Sequence, residues 1–346
     1  MALLAVVILL SFFNYQIPSA LWWAEGVLCS VGLAVFIYHN GMTRFVLKRL
    51  LETVFVVWII ATLTFVLMRI LPGGPFDSEK SLPKEIMDNL ARKYHLNDSL
   101  FTQYTDYIWG LLHLDFGTSY KYIGRDITAI ISESLPNSVQ LGVYALIVSY
   151  ALGITMGVVA GWKRGSWLDS SSMFLAISGV SLPSFLMAPI FIVVFSYWLG
   201  WFEPALWEGP AYYVLPTIVL GLRPAAVIAR LTRASVLDVI HSDYIRTAKA
   251  KGLDMRTILF KHVLRNSLIP VLTLSGPLVA TILTGSFVIE QIFAVPGVAK
   301  HLVLSVTNRD YPLVLGTTLL FSFLLVVANF MTDLLIAVVD PRVKIQ

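Results

Sequence analysis

The sequence has little of two things that soluble proteins use freely, cysteine and charge. Its one cysteine, Cys29, cannot form an internal disulfide framework. Only 13% of the 346 residues are charged, whereas 57% are apolar. A soluble domain has about 25% charged and about 45–50% apolar residues. The composition therefore predicts a membrane protein.

Motifs of the common enzyme classes are also missing. The sequence contains no Gly-x-x-x-x-Gly-Lys-Ser/Thr phosphate loop, so we expect that this chain does not hydrolyse ATP itself. It contains no His-Glu-x-x-His and no Gly-x-Ser-x-Gly motif. Its six histidines are scattered without metal-ligand spacing. We therefore predict no catalytic residue, no metal ligand and no cofactor bound by this chain.

Long apolar segments recur along the chain, and each has about the 20 residues that a spanning helix needs. We predict six such helices, the third with a tilt or kink at Pro183 because proline interrupts the backbone hydrogen bonds. They lie at 51–71, 138–162, 172–199, 213–236, 268–293 and 313–339. A membrane-embedded enzyme would need catalytic residues that are missing, and a lipid-surface scaffold would not need six spans. A transport protein is the third class under consideration.

Basic residues are concentrated on one side of this arrangement. The loop 200–212 has no Lys or Arg, and 294–312 has only Lys300 and Arg309. Both ends of the core and its even-numbered loops are therefore predicted to face the cytoplasm, with the long segment 72–137 outside. The basic loops face the bilayer surface, so no nucleic-acid partner is expected. Cytoplasmic basic residues include Arg44, Lys48, Arg49, Lys163, Arg164, Arg230, Arg233, Arg246, Lys249, Lys251, Arg256, Lys261, Arg265, Arg342 and Lys344.

Residues 1–41 form an apolar extension ahead of the first core helix at 42–71. An extra spanning helix or hairpin is the favoured interpretation, since 21–38 is long enough to span. A signal peptide would need a positively charged start, which is absent. An upstream start codon, with Met42 as the functional start, is a further alternative. The remaining core, 138–346, contains a cytoplasmic loop at about 237–267.

That loop is a basic, helix-forming segment between two apolar ones. Ser242 or Asp243 is expected to cap a helix that ends at Gly252 in the left-handed conformation. Asp254 is expected to cap a second helix that stops at Asn266. Small residues, Ala248 and Ala250, would allow a partner to approach the backbone. A docking site for another protein and an amphipathic helix on anionic lipid are both consistent with this pattern.

Polar residues inside spanning segments are costly and mark functional candidates. Arg223 either lines a path for a carboxylate or snorkels to an interface. Glu290 either serves a gate or receptor contact or anchors an interface. Ser181, Pro183 and Ser184 form a polar break that lines a cavity or packs helices. These five residues are the translocation-path or gate candidates.

Several motifs occur in order along 42–346. Arg246–Gly252 reads Arg-Thr-Ala-Lys-Ala-Lys-Gly and His262–Asn266 reads His-Val-Leu-Arg-Asn. Upstream lies Leu71-Pro-Gly-Gly-Pro, and downstream come Phe287-Val-Ile-Glu-Gln-Ile-Phe with Pro-Gly and a terminal Asp-Pro-Arg. This series resembles the permease subunits of ABC importers in the peptide and nickel branch. The general Glu-Ala-Ala pattern is replaced by Arg246-Thr247-Ala248, a departure that is typical of that branch.

The resemblance implies an all-α polytopic membrane protein with the fold of a type I ABC importer transmembrane subunit. It would have six core helices plus one or two extra N-terminal apolar segments, in the bacterial inner membrane. Its implied partners are a homologous second permease, two ABC ATPase subunits that bind ATP and Mg, an external peptide-binding protein and the lipid bilayer. Oligopeptides are the expected substrate; dipeptides, nickel chelates and antimicrobial peptides are alternatives. The implied ATPase-coupling residues are Asp243, Tyr244, Arg246, Thr247, Ala248, Lys251 and Gly252.

Overall fold

The structure, a computed structural model, describes residues 43–70, 85, 88–89, 92, 94–283 and 286–339. The predicted N-terminal extension, 1–41, lies outside the described residues. The chain divides into two compact units, 1–54 with 344–346 and 55–343. Of the first unit only 43–54 is described, where Arg49 Nη1 donates to Glu52 Oε2 at 3.0 Å. Apart from the start of the first helix, all further features belong to the second unit.

Helices account for nearly all of the regular structure in the described residues, where only an isolated bridge joins Thr118 and Asp126. The predicted all-α class is confirmed. The helices are α1 (Thr43–Ile70), α2 (Leu100–Leu112), α3 (Ile127–Trp162), α4 (Trp167–Ser181), α5 (Ser184–Phe191, continued by a π-helical stretch Ile192–Trp198), α6 (Pro210–Ile240), α7 (Asp243–Ala250), α8 (Met255–Thr257, continued by a π-helical stretch Ile258–Val263), α9 (Leu264–Ser267), α10 (Ile269–Leu283), α11 (Phe287–Ile292), α12 (Ala299–Thr307) and α13 (Tyr311–Val339).

Five of these segments are long and apolar enough to cross a membrane, and six if the bent pair α4 and α5 is one span. The predicted number of core spans agrees with the upper value. Two details differ from the sequence-based expectation. The second span begins at Ile127 rather than at 138, because Ile127, Ile130 and Ile131 are buried against Val298 and Leu313. These contacts extend the helix through Pro136.

The third span is broken rather than kinked. Its two helices, Trp167–Gly179 and Ser184–Trp198, meet at 106°. Leu182 is extended and Pro183 occupies the N-cap of α5, so no helical hydrogen bond continues through this point. A tilt of one continuous helix was therefore the wrong expectation, since the chain starts a new helix.

Close packing of α3 on α6 forms the centre of the fold. Gly153, Gly157 and Gly161 recur every fourth residue and share one face of α3. A Cβ added at Gly157 would lie 2.5 Å from the Cβ of Thr232 on α6. Small residues at this spacing allow helices to approach closely in membranes, where packing drives association. The pattern Gly-x-x-x-Gly-x-x-x-Gly is visible in the sequence and predicts this contact, although sequence analysis overlooked it.

Candidate functional site

The helix α7 is amphipathic, and its apolar face is held by the core. Ile245 and Ala248, three residues apart, are buried. They belong to a cluster with Val236 of α6 and with Ile258 and Val263 of the segment after α7. Val158 and Trp162 of α3 pack against this cluster. The helix is therefore attached firmly to the ends of the two central helices.

Gly252 ends α7 in the predicted left-handed conformation, with a φ of +76°. The N–H of Gly252 donates to the carbonyl of Lys249 at 3.0 Å, and that of Leu253 donates to the carbonyl of Ala248 at 3.3 Å. This pair of bonds is the Schellman motif, which satisfies the last carbonyls of a helix. A Cβ at Gly252 would meet nothing within 4 Å, so backbone conformation alone favours glycine here.

The hydroxyl group of Tyr244 links α7 to the segment that follows it through hydrogen bonds. Tyr244 Oη accepts a hydrogen bond from Asn266 Nδ2 at 2.7 Å and donates to the carbonyl of His262 at 3.4 Å. Asp254 caps α8, as expected, by accepting from the N–H of Thr257. Asn266 does not stop the helix as predicted, because its side chain is used in this brace and α9 continues to Ser267.

The opposite face of this region is basic, with apolar side chains among the charges. Met255 and Phe260 are 54% and 66% exposed. Arg246, Lys249, Lys251, Arg256, Lys261 and Arg265 are exposed, as are Asp243 and Thr247. Ala248 departs from the expectation that a partner reaches the backbone there. Ala248 is buried, and its small side chain lets α7 pack closely on the helices beneath it. Ala250 is exposed.

The polar break in the third span lies at the surface of this single chain. Ser181 and Pro183 are exposed, and Ser184 is half-buried. Ser181 Oγ donates to the carbonyl of Ile177 at 2.8 Å, so its hydroxyl is occupied within its own helix. Beside the break lies a cavity of about 430 Å³, lined by α3, α4, α5 and α6 with almost only apolar side chains.

Arg223 is an exposed charge midway along α6. Arg230, Ala234 and Asp238 continue the exposed stripe towards the C-terminal end of the helix. None of the hydrogen bonds or ion pairs found among the described residues involves Arg223. A charge in the middle of an apolar span is stable where it faces water or another subunit. None of these hydrogen bonds or ion pairs joins Arg223 to Glu290 or to the polar break.

Glu290 is a buried connector, with 1% of its surface exposed. Ser138 Oγ of α3 donates to its Oε1 at 2.7 Å and accepts from the N–H of Val298 at 2.8 Å. The N–H of Lys300 donates to its Oε2 at 3.3 Å. The carboxylate thus accepts bonds at the first turn of α12, where the helix dipole favours negative charge. Gly297 leaves the space that the carboxylate fills.

Two further contacts of carboxylates, one an ion pair and one a set of hydrogen bonds, were missed by sequence analysis. Arg233 of α6 forms a bidentate ion pair with Asp169 of α4, in which Nε and Nη2 lie 2.7 and 2.9 Å from the two carboxylate oxygens. Asp310 is buried and accepts from the hydroxyl of Ser119 and from the N–H of Tyr120 at 3.1 Å. Both pairs join distant parts of the chain, so no local pattern indicates them. Among the described residues, no cluster of His, Cys, Asp and Glu has metal-site geometry.

Comparisons with known proteins agree with this architecture. The family model "Binding-protein-dependent transport system inner membrane component" matches residues 153–345, and the model of the N-terminal part of such components matches 42–142. Neither match includes 1–41. The chain is 43% identical to the dipeptide transport system permease protein DppB of Bacillus subtilis (strain 168) over 305 residues, 88% of this chain and 99% of the relative. It is 42% identical to the oligopeptide transport system permease protein OppB of Escherichia coli (strain K12), over 88% of this chain and all of the relative.

A solved structure shares the fold. A chain of the MetNI methionine ABC transporter, in inward-facing conformations, matches with a TM-score of 0.51 at 16% identity, over 62% of this chain and 97% of that one. The apolar helices and these matches identify a multi-pass protein of the cytoplasmic membrane. The predicted family is confirmed: the chain belongs to the inner membrane components of binding-protein-dependent transport systems, as a permease subunit of an ABC importer.

Proposed function

We propose that this permease transports peptides and that it receives the energy of ATP hydrolysis through α7 and the turn at Gly252. The observation that carries the proposal is the attachment of α7 to the core. Its buried face packs against the ends of α3 and α6, while its basic face is exposed. A force applied to the exposed face is therefore transmitted to the two central helices, since a packed interior transmits strain.

The proposed partners are those of an ABC importer. Two ATPase subunits bind ATP and Mg, one against this chain and one against a homologous second permease. An external peptide-binding protein delivers the substrate from the opposite side. Asp243, Tyr244, Arg246, Thr247, Lys251 and Gly252 form or shape the docking surface, and Ala248 supports it from beneath. This chain binds no cofactor of its own.

The names of the two relatives, which refer to dipeptide and oligopeptide transport, support a peptide substrate. Within that class we propose oligopeptides, with dipeptides as the alternative, and nickel chelates and antimicrobial peptides as more distant ones. Arg223 is proposed to face the water-filled path between the two permeases, because its charge has no partner among the described residues of its own chain. The break at Ser181–Ser184 is proposed to line the same path.

Gly252→Glu tests the coupling surface. The substitution places a bulky, negative side chain on the turn and forces a residue with a Cβ to a φ of +76°. Gly200→Glu is the matched control, because Gly200 has a φ of +61°, an equally open environment and a place in the loop between α5 and α6. We expect Gly252→Glu to abolish peptide uptake with the chain still inserted, and Gly200→Glu to retain uptake.

Co-purification in mild detergent gives the second readout. ATPase subunits are expected to accompany wild type and Gly200→Glu and to be lost from Gly252→Glu. If Gly252→Glu kept its ATPases and took up peptide normally, α7 would not be part of the coupling surface. The basic face would then be a lipid contact, which binding to anionic vesicles would reveal. Competition between tri-alanine, di-alanine and a nickel chelate for uptake separates the substrate classes.

A further inference from the structure

A polar cavity lies on the side of the molecule opposite α7. Its volume is about 310 Å³, and it is lined by the C-terminal end of α1, by α2, by the start of α13 and by residues just before α2 and between α2 and α3; Asp106 and Asp115 are among the lining residues. Arg69 of α1, Gln103 and Tyr107 of α2, and Tyr311 of α13 contribute side chains. None of these residues belongs to the proposed coupling surface or translocation path.

Arg69 is held in this cavity by aromatic rings. Its guanidinium carbon lies 5.0 Å from the ring centroid of Phe65 and 5.4 Å from that of Tyr311. Such cation–π contacts position a guanidinium but leave its N–H groups directed elsewhere. Among the described residues, no carboxylate lies within ion-pair distance of Arg69. Its Nε is buried, and no described residue forms a hydrogen bond with it.

Two neighbours of Arg69 are also unsatisfied. Tyr107 Oη and Gln103 Oε1 are buried, and no described residue bonds to either atom. Tyr107 stacks on Phe65, with ring centroids 5.8 Å apart, so its hydroxyl is fixed. Gln103 is fixed through its amide nitrogen, which donates to the carbonyls of Leu96 at 3.2 Å and Asp98 at 2.9 Å. Buried polar atoms without partners are uncommon, and the three that line this cavity are groups available for binding.

The chemistry of the three atoms specifies the ligand. Arg69 offers charged N–H donors with the fork geometry that matches a carboxylate. Tyr107 offers a further donor, and burial raises the pKa of its hydroxyl, so it stays protonated at neutral pH. Gln103 Oε1 is an acceptor, which suits an N–H group next to the carboxylate. A peptide terminus and an acidic side chain each supply this combination.

We infer that the cavity at Arg69, Tyr107 and Gln103 binds a carboxylate group presented from the external side. Two sources of this carboxylate are considered, and both rest on the proposed function. One source is the C-terminal carboxylate of a peptide on its way to the translocation path. The other is an acidic side chain of the external binding protein when it docks on the permease.

Binding of small probes to the permease, assembled with its partner subunits in nanodiscs, tests the inference. Saturation-transfer NMR would compare tri-alanine, its C-terminal amide and the doubly blocked N-acetyl-aspartate amide. Arg69→Gln removes the positive charge. Arg69→Lys keeps the charge but loses the planar pair of N–H donors that can bind both oxygens of a carboxylate. Arg125→Gln is the matched control, because Arg125 is paired with Glu133 at the surface. Thermal unfolding of each variant confirms that the fold is retained.

We expect tri-alanine to bind and its amide to bind at least about tenfold more weakly, because the amide cannot accept a charge-assisted hydrogen bond from Arg69. The preference should disappear in Arg69→Gln, weaken in Arg69→Lys and persist in Arg125→Gln. Binding of the blocked aspartate alone, with the same dependence on Arg69, assigns the site to a docked acidic side chain. Equal binding of acid and amide, or binding that is unaffected by Arg69→Gln, would overturn the inference. The readout requires no ATP, so failure of the proposed coupling surface leaves it intact.

Discussion

Arg233 and Asp169 form an ion pair in which Nε and Nη2 of the arginine lie 2.7 and 2.9 Å from the two carboxylate oxygens. Asp169 Oδ2 also accepts from the N–H of Gly165, so the pair fixes the short connection between α3 and α4 as well as the end of α6. Val236, which packs on α7, lies one turn beyond Arg233. The pair therefore holds α4 to the part of α6 that supports α7.

Arg233→Met is expected to destabilise the protein by about 2 kcal/mol, because it leaves the largely buried Asp169 without its partner. Arg230→Met is the control, since Arg230 is exposed on the same helix. Thermal unfolding in nanodiscs measures both. Adding Asp169→Asn to Arg233→Met should cost less than the sum of the single substitutions. Additive effects would show that the pair contributes little.

Gly157→Leu is expected to lower stability by about 1–3 kcal/mol or prevent assembly of the bundle, because α3 and α6 are too close at this point for a larger side chain. Gly209→Ala provides the comparison: a Cβ there meets nothing within 4 Å, and its φ of 170° is extended. The melting temperature of the purified variants is the measurement. A Gly157→Leu protein as stable as Gly209→Ala would mean that the two helices are not in close contact.

Local signals in the sequence were sufficient for several features. Gly252 follows a helix-forming run and precedes Leu253, so the left-handed turn and its position were predictable. Asp254 likewise identified the start of α8. The apolar lengths predicted the spans, because a bilayer fixes the length of a spanning helix.

Features that depend on distant residues were not predictable in the same way. The burial of Ala248 depends on Val236 and Ile258, and Glu290 is enclosed by Ser138 from another helix. The break at Pro183 was read as a kink because proline is compatible with both outcomes, and packing decides between them. The glycine stripe of α3 is different, since its spacing is local and sufficient to indicate a helix contact.

Stability is expected to fall as the pH is lowered through the range in which His301 titrates. Burial, followed by the charges of Lys300 and Arg125, lowers the pKa of His301 in the folded protein, while Glu133 opposes this shift. The folded state then favours neutral His301 relative to the unfolded chain. This contribution is complete above the ordinary pKa of about 6.5 and is lost as the pH falls towards the lowered pKa.

His301→Gln removes the titrating group, so the variant should lose less stability than wild type between about pH 8 and about pH 5. Thermal unfolding at several pH values measures the difference. His301 is outside the proposed coupling surface, so uptake at neutral pH serves as a control for folding. An identical pH profile in both proteins would show that His301 does not contribute to acid sensitivity.

Glu290→Ala is expected to destabilise the protein by about 2–3 kcal/mol, because Ser138 and the first N–H groups of α12 lose a buried, charged acceptor. Glu290→Gln keeps the shape and one acceptor oxygen, so a smaller loss is expected. Glu133→Ala removes an exposed partner of Arg125 and should cost at most about 1 kcal/mol. Equal stabilities for all three variants would contradict a connecting role for Glu290.

Tyr244→Phe separates the brace between α7 and the following segment from the rest of the coupling surface. The substitution removes only the hydroxyl that bonds Asn266 and the carbonyl of His262, and it leaves the exposed charges in place. A lost hydrogen bond costs about 1 kcal/mol, so amide hydrogen exchange at 243–253 should become about fivefold faster. Tyr197→Phe, at a tyrosine that is 83% exposed, should leave exchange unchanged.

If α7 moves as a unit with α6, this loosening should also reduce stimulation of the ATPase by substrate while the ATPases remain bound. The reason is that a docked helix which shifts on its support transmits less of the motion to α3 and α6. Faster exchange with full stimulation would show that the buried face, Ile245 and Ala248, is sufficient to carry the motion. Unchanged exchange would show that the hydroxyl does not hold the two segments together.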